Sequence, residues 1–264
     1  MTFTSIAHKK IVQRYYSGRA CDYDRQKERT WKSEAGFDAE VLEEMMQAAR
    51  EAEAGVGLDA GVGSGRVFAP LIREMKLPPI GLDLSREMLE LAREKTGSID
   101  RIPDLLLGDI EFLPFRNSSF SLLLCISTLH YFSSAHIGLT EFSRVLKKGG
   151  IFIYGDVTRH EMDTDGFMDE LEKTISLAHG GYHRPSEVRS LMEECGIQVT
   201  RMKTISYRKA YESLVEDKAR YFNVEPQVLQ QFVRKCTRKQ RALYRIDENE
   251  MTLFYTMISG LKKE

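Results

Sequence analysis

The chain has 264 residues, with 38 Lys and Arg against 39 Asp and Glu, so its formal net charge is −1. This length can bury a sizeable core and lies near the upper end for a single α/β domain. No apolar run approaches the ~20 residues that a membrane span requires, and the first residues do not resemble a signal peptide, so we expect a cytoplasmic protein. The sequence predicts neither a zinc site nor a disulfide framework, because no C-x-x-C pair occurs among Cys21, Cys125, Cys195 and Cys236.

The first 54 residues are predicted to form a helical flank before a main domain at 55–264. Within this flank, the helical spacing predicts a helix at 38–52 that packs on the edge of a sheet. The segment before that helix holds several aromatic residues, among them Tyr15 and Tyr16. Core packing is the simple explanation of such side chains.

Five short apolar runs follow, and helical patterns separate them. Because a strand buried on both faces is apolar throughout, the runs predict parallel strands at 55–60, 79–82, 104–107, 120–126 and 151–155. The helical patterns lie at 65–74, 85–96 and 133–147. This alternation predicts an α/β, doubly wound sheet, whose ligand crevice lies at the carboxyl ends of its strands.

The remaining segments are predicted to complete and cover that sheet. A helix at 183–194 leads into an alternating strand at 197–207, and a second late strand lies at 250–259. Between the two strands, helical spacing at 208–246 predicts an inserted helical lid. Residues 201–245 hold 12 Lys and Arg against four Asp and Glu. This basic region could attract an anionic substrate, an acidic carrier protein or RNA, or it is a solvated helix face.

A glycine-rich turn ends the first strand and suggests a nucleotide-type pocket. Closely spaced glycines at 61, 63 and 65 let the backbone approach a ligand and aim amides at it. Asp83, about twenty residues on, suits two vicinal ribose hydroxyls, because an ionised carboxylate offers only acceptors. Arg66 stands where G-x-G-x-x-G needs its third glycine, and no Gly-Lys-Ser/Thr follows. Dinucleotides and nucleoside triphosphates are therefore disfavoured.

Residues 59–65, Asp-Ala-Gly-Val-Gly-Ser-Gly, resemble the glycine-rich signature of class I S-adenosylmethionine-dependent methyltransferases with a type 11-like domain. Later segments resemble this family in the same order: 108–115, 119–127 with the Leu-His-Tyr-Phe that begins at Leu129, and 141–150. The resemblance covers about residues 55–156. It implies a Rossmann-like, seven-stranded sheet of order 3-2-1-4-5-7-6, in which the last strand is antiparallel.

The resemblance implies S-adenosylmethionine as the cofactor and S-adenosylhomocysteine as the product, with no metal. Asp83 would bind the ribose, and Asp109 the adenine amino group with Ile110 beside the ring. The glycine turn and Ser127 would line the methionine end, which Asp59 would reach through water. Residues 15–24 resemble a segment that folds over the cofactor in many small-molecule methyltransferases. The cofactor-binding residues implied are Tyr16, Asp59, Gly61, Gly63, Asp83, Leu84, Asp109, Ile110 and Ser127.

A general base is harder to identify from the sequence. An oxygen nucleophile must lose a proton at some stage, and histidine suits this role near neutral pH. His130, just past the fourth strand, is the first candidate, and Asp156 and His160 after the fifth strand come next. Nitrogen, sulfur or stabilised carbon nucleophiles can react without a dedicated base.

The acceptor is expected to be a small organic molecule enclosed by the flank and the lid. The fourth strand leads into Ser-Thr-Leu-His at 127–130. This is not the Asn/Asp-Pro-Pro-Tyr of enzymes that methylate exocyclic amines of bases, and the Pro-Cys of cytosine-ring methylases is also lacking. Two alternatives stay open. One is a macromolecular acceptor, RNA or a protein side chain, docked on 201–245; the other is a non-catalytic S-adenosylmethionine-binding protein.

Overall fold

A computed structural model of the chain describes residues 3–32, 37–52, 55–74, 79–97, 99, 102–225 and 227–263. At its centre lies one seven-stranded sheet of order β3-β2-β1-β4-β5-β7-β6. The strands are β1 Gly57–Ala60, β2 Ile80–Asp83, β3 Asp104–Leu107, β4 Phe120–Ile126, β5 Leu146–Thr158, β6 Ile197–Ala210 and β7 Glu250–Lys262. Strand β7 pairs antiparallel with both β5 and β6, whereas β1 to β5 pair in parallel. The predicted strand order and the antiparallel last strand are confirmed.

Ten α-helices surround the sheet in the part of the chain that the structure describes. They are α1 Phe3–Lys32, α2 Phe37–Glu51, α3 Phe68–Glu74, α4 Arg86–Thr96, α5 Ala135–Val145, α6 Phe167–Ile175, α7 Pro185–Glu194, α8 Tyr211–Phe222, α9 Gln227–Arg234 and α10 Arg238–Tyr244. The predicted helix at 65–74 begins only at Phe68, because the glycine turn occupies the residues before it. Helix α6 follows a left-handed Gly166 and was not predicted.

The strands of the parallel half end at one edge of the sheet, which places their following loops side by side. Asp59 of β1 pairs with Gly81 of β2 and with Leu124 of β4. The strand order reverses between β1 and β4, and such a switch point leaves a crevice beyond the carboxyl ends of the strands. The loops are joined there by backbone hydrogen bonds, for example from Gly61 N to Leu82 O at 2.8 Å.

Two main apolar clusters hold these layers together. In the first, Phe142 of α5 and Val188 of α7 pack with Phe152 of β5. In the second, α6, α8, α9 and α10 pack on one another and on Leu253 of β7, around the fully buried Tyr244. Burying a large apolar side chain stabilises the fold by about 1.5–3 kcal/mol. The helices of the predicted 208–246 insertion are therefore part of the packed body.

The N-terminal flank forms two helices that contact the sheet in different places. Met45 of α2 is fully buried against Leu122 and Ile153, which lie in the central strands β4 and β5. The expectation that this helix packs on the edge of the sheet is therefore wrong, since its apolar stripe covers the face instead. The proposed boundary at residue 54 falls outside the described residues, and the division into a flank and a main domain stays a prediction.

Candidate functional site

An open cavity lies beyond the carboxyl ends of β1 to β4, with about 850 Å³ of space that includes its solvent-open part. We call it the first cavity. Four loops form its floor, and α1 forms its roof. Of the predicted cofactor residues, those that line it are Tyr16, Gly61, Gly63, Asp83, Leu84, Asp109, Ile110 and Ser127. Asp59 is not among the lining residues.

The glycine turn adopts the backbone that only glycine takes easily. Gly61 and Gly63 have φ of +92° and +53°. A Cβ on Gly61 would lie 2.4 Å from the Thr128 side chain, so the turn packs closely against the loop after β4. A Cβ on Gly63 would meet no atom within 4 Å, which means that the backbone there faces open space. The turn thus presents bare backbone to the first cavity.

Asp83 ends β2 with a carboxylate that organises two loops. Its Oδ2 accepts a hydrogen bond from Gly63 N at 2.8 Å, and its Oδ1 accepts one from Ser85 N at 2.9 Å. Burial raises the pKa of Asp83, although the amides of Ser85 and Gly63 oppose the rise. Each carboxylate oxygen can accept a further hydrogen bond, so the side chain can still take donors from a ligand.

Asp59 is a buried acid without a full set of partners. It is 3% exposed, and its Oδ1 accepts no hydrogen bond from any residue in the described ranges. Burial, and after it the charge of Asp83, raises the pKa of Asp59 to about 7. A carboxylate in this setting is stabilised by any cation or donor that approaches it.

Helix α1 closes the first cavity through polar contacts along its length. Lys9 Nζ donates to Asp109 Oδ2 at 2.6 Å and also forms an ion pair with Glu111. One turn further, Gln13 Nε2 donates to Leu84 O at 3.1 Å. The predicted adenine ligand Asp109 is thus already paired with a lysine that sequence reasoning missed. No local sequence pattern indicates that two residues 100 positions apart are in contact.

Arg66 is a second residue that the sequence analysis did not assign to the site. It follows the glycine turn and lines the first cavity together with Gly61 and Ser127. A guanidinium pairs well with a carboxylate through two parallel hydrogen bonds. Its position one residue after Gly65 was the signal available in the sequence.

A second open cavity adjoins the first, with about 1000 Å³ of space that includes its solvent-open part. The two share the wall residues Tyr16, Tyr23, Ser127 and Tyr131. We call the second cavity the acceptor chamber. Strands β5, β6 and β7, helices α1, α6 and α8 and the loop before α7 supply its other walls. Seven tyrosines line it, namely Tyr15, Tyr16, Tyr23, Tyr131, Tyr182, Tyr207 and Tyr255. Aromatic walls of this kind favour a flat, partly apolar guest.

The structure brings His130 and Asp156 together on the wall of the acceptor chamber. His130 Nδ1 lies 2.7 Å from Asp156 Oδ1, and His130 N donates to Asp156 Oδ2 at 3.2 Å. Asp156 is 1% exposed as a side chain, so its carboxylate fixes the ring from within the protein. Because Nδ1 donates its proton to the carboxylate, the lone pair is on Nε2. The pair can therefore accept a proton at His130 Nε2.

His160, the third candidate base, lines neither cavity. Its backbone N donates to the Tyr244 hydroxyl at 3.1 Å, and its Nδ1 accepts from Met162 N at 3.0 Å. The ring packs on Phe254 with a centroid distance of 4.9 Å. The structure does not bring His160 to the site, because β5 ends at Thr158 and the chain turns away from the chamber.

Three further observations concern other kinds of site. Across the described part of the chain, no group of three or more His, Cys, Asp or Glu residues is placed to hold a metal ion. None of the helices there combines the length and the apolar character that crossing a bilayer demands. The four cysteines are not paired with one another, and Cys125 is buried in β4.

Comparison with known proteins finds a matching family model and several relatives. Residues 58–154 match the family model described as a methyltransferase domain. A malonyl-acyl-carrier-protein O-methyltransferase of Yersinia pestis is 29% identical over 175 residues, which are 66% of this chain and 58% of the relative. The uncharacterized methyltransferase YcgJ of Bacillus subtilis is 34% identical over 139 residues, covering 50% of this chain and 49% of YcgJ. The chain thus spans about half of the length of these curated relatives, or slightly more.

Solved structures agree on the fold. The crystal structure of the YcgJ protein from Bacillus subtilis superposes with a TM-score of 0.74 at 23% identity, covering 84% of this chain and 98% of that chain. At this identity the likeness concerns the fold alone. Residues 58–154 therefore match the methyltransferase domain family, and most of the chain shares the fold of the YcgJ structure.

Proposed function

We propose that the protein transfers a methyl group from S-adenosylmethionine to a small organic acceptor. The observation that carries this proposal is the meeting of two cavities at Tyr16, Ser127 and Tyr131. One cavity has a glycine turn and a loop-organising carboxylate, and the other has a histidine–aspartate pair. A methyl donor and a methyl acceptor need such adjoining compartments, because the reacting atoms must align while water is excluded.

The first cavity fits this cofactor by its chemistry. The open backbone at Gly63 leaves room beside the turn, and Asp83 has lone pairs for two vicinal hydroxyls. The buried Oδ1 of Asp59 lacks a donor, which an ammonium group in the first cavity can supply through water. Arg66 would pair with a carboxylate at the same end. When bound, the cofactor supplies a methyl carbon on a positively charged sulfur, a good leaving group.

At the adenine end, the proposal assigns binding to three residues of neighbouring loops. Asp109 would accept from the exocyclic amine, and Leu84 and Ile110 would pack on the ring. Lys9 holds Asp109 from α1, so the helix and the base would share one carboxylate. This arrangement couples the position of α1 to the adenine end of the cavity.

In the acceptor chamber, His130 would act as the general base for an acceptor hydroxyl. Its Nε2 would take the hydroxyl proton while the oxygen lone pair forms the new bond to carbon. Asp156 would orient the ring and stabilise the imidazolium that results. His160 has no part in this proposal because it lies outside the chamber.

A macromolecular acceptor is the second candidate. The Yersinia relative carries the name of an enzyme that acts on a malonyl group of an acyl carrier protein. The basic 201–245 region exposes cations on β6 and on α9–α10, among them Arg201, Lys203, Arg234 and Lys239, and these suit an acidic partner. We favour the small acceptor, because the histidine–aspartate pair lies on the wall of a chamber behind α1 and α8.

The test is incubation of the purified protein with methyl-radiolabelled S-adenosylmethionine and fractionated cell extract. We expect label in a small-molecule fraction. Label in protein or RNA that falls steeply with added salt would favour the second candidate. Binding of the cofactor without transfer to any fraction would contradict the proposed activity and support a binding protein.

The base is tested with His130→Asn, and His136→Asn on the exposed surface of α5 is the matched control. We expect H130N to slow transfer by about 100-fold or more, the usual size of a general-base contribution. Calorimetric affinity for S-adenosylhomocysteine should be unchanged in both variants. A wild-type transfer rate in H130N would remove His130 from the mechanism.

A further inference from the structure

Glu172 of α6 lines the acceptor chamber and has no part in the proposed methyl transfer. Its side chain is 5% exposed, and its Oε1 is ion-paired with Lys218 of α8, which lines the same chamber. The other oxygen, Oε2, is buried and accepts no hydrogen bond from the residues that the structure describes. Glu172, a residue of the chamber lining, therefore carries one buried lone-pair acceptor that the described protein leaves unused.

This oxygen belongs to an ionised group. Burial raises the pKa of Glu172, but the charges of Lys218 and His179 lower it more, so the pKa lies below its ordinary range. An ionised carboxylate can only accept hydrogen bonds, and a buried charged oxygen without a donor is costly. A guest that supplies an N–H or O–H at this point would remove that cost.

The neighbouring Lys218 decides which donor fits. An ammonium on the guest would lie beside another ammonium, and a carboxylate on the guest would lie beside Glu172. A neutral hydroxyl avoids both conflicts, because it can donate to Glu172 Oε2 and accept from Lys218 Nζ at the same time. The ion pair is thus complementary to an uncharged alcohol or phenol.

The ion pair faces the same chamber as the His130–Asp156 pair. The ring of Tyr182 lies 5.4 Å from the ring of His130, measured between centroids. Burial, then the charges of Glu172 and Asp156, raise the pKa of Tyr182. Tyr182, Glu172 and His130 all line this chamber, whose walls hold seven tyrosines.

We propose that Glu172 and Lys218 form a second recognition point, and that the acceptor is a flat, ring-bearing diol. One hydroxyl would lie at His130, and the second would bind between Glu172 Oε2 and Lys218 Nζ. This inference rests on the proposed function, because it names the class of acceptor for the same site.

Binding of simple probes tests the inference without turnover. The probes are 1,2-, 1,3- and 1,4-dihydroxybenzene, each compared by calorimetry with its own monomethyl ether, with and without saturating S-adenosylhomocysteine. We expect wild-type protein to bind at least one diol about 10-fold or more tightly than its ether, the usual effect of a hydrogen bond to a charged group. Glu172→Gln should reduce that preference to about twofold or less, because the neutral amide lacks the carboxylate's charge.

The matched control is Glu170→Gln, because Glu170 lies on the same helix with a side chain that is 64% exposed and paired with Lys173. E170Q should keep the full diol preference. Two results would overturn the inference: no diol preference in wild type, or an unchanged preference in E172Q. The second would indicate that Glu172 holds an internal water with the buried Nδ1 of His179, which also has no hydrogen-bond partner in the described structure.

Even if E172Q does not fold, the comparison of diol and ether binding to the wild-type protein still tests the inference. Failure of the proposed function has a separate signature. Absence of heat on titration with S-adenosylhomocysteine would refute the cofactor assignment, whereas the diol preference is read from the measurements made without it.

Discussion

Replacing Asp59 with Asn should change how the stability of the protein depends on pH. Asp59 is 3% exposed, and its pKa rises from 3.8 to about 7, first because of burial and then because of Asp83. A carboxyl with a raised pKa in the folded state holds its proton there at pH values where the unfolded chain has lost it. Its contribution is therefore fully present below about pH 4 and is lost as the pH rises through 7.

The size of the effect follows from this shift. About three pKa units correspond to about 4 kcal/mol of unfolding free energy over the full range, of which about 2.5 kcal/mol falls between pH 5 and 8. Asn at this position stays neutral at every pH. Between pH 5 and 8, we therefore expect the unfolding free energy of D59N to fall by about 2.5 kcal/mol less than that of wild type.

The assay is urea unfolding at pH 5, 6, 7 and 8, followed by circular dichroism. Asp104→Asn on the exposed face of β3 is the control, and its difference from wild type should not vary with pH. Parallel stability curves for wild type and D59N across this range would refute the assignment of a raised pKa to Asp59.

Three other changes test the first cavity. Asp83→Asn should weaken cofactor binding by about 1.5–3 kcal/mol, since an amide replaces a charged acceptor; unchanged calorimetric affinity would argue against ribose binding. Lys9→Met should lower the unfolding free energy by about 1–3 kcal/mol and speed amide exchange in α1, and equal exchange would show that the ion pairs do not hold the helix. Gly65→Ala should destabilise the protein by about 1–3 kcal/mol more than Gly149→Ala, measured by urea unfolding. Both glycines have positive φ, but only at Gly65 would the new Cβ meet a neighbouring helix, at 3.0 Å.

Much of the fold could be predicted because its signals are local. Apolar runs predicted β1 to β5, and alternation predicted β6. The glycine turn together with Asp83 indicated which end of the sheet carries the crevice. The strand order came from the resemblance, since no local pattern states that β7 lies between β5 and β6. Helix limits were less accurate where a turn continues into a helix, as before Phe68.

The parts of the site that could not be predicted depend on long-range contacts. Lys9 meets Asp109 across 100 positions, and Glu172 meets Lys218 across 46. His130 and Asp156 were each proposed, but their pairing follows from the 3-10 turn at Leu129–Tyr131, which aims the ring back at β5. His160 looked equivalent to Asp156 in sequence. His160 lies two residues beyond the end of β5, where the chain has turned away from the chamber.

Helix α1 has a consequence for the timing of a catalytic cycle. Tyr16 and Tyr23 belong to the walls of both cavities, so one movement of this helix uncovers both compartments together. S-adenosylhomocysteine and the methylated product would then leave through a shared exit. The rate at which both products leave should depend on ionic strength, because ion pairs of Lys9 with Asp109 and Glu111, and of Asp24 with Lys95, hold α1 in place.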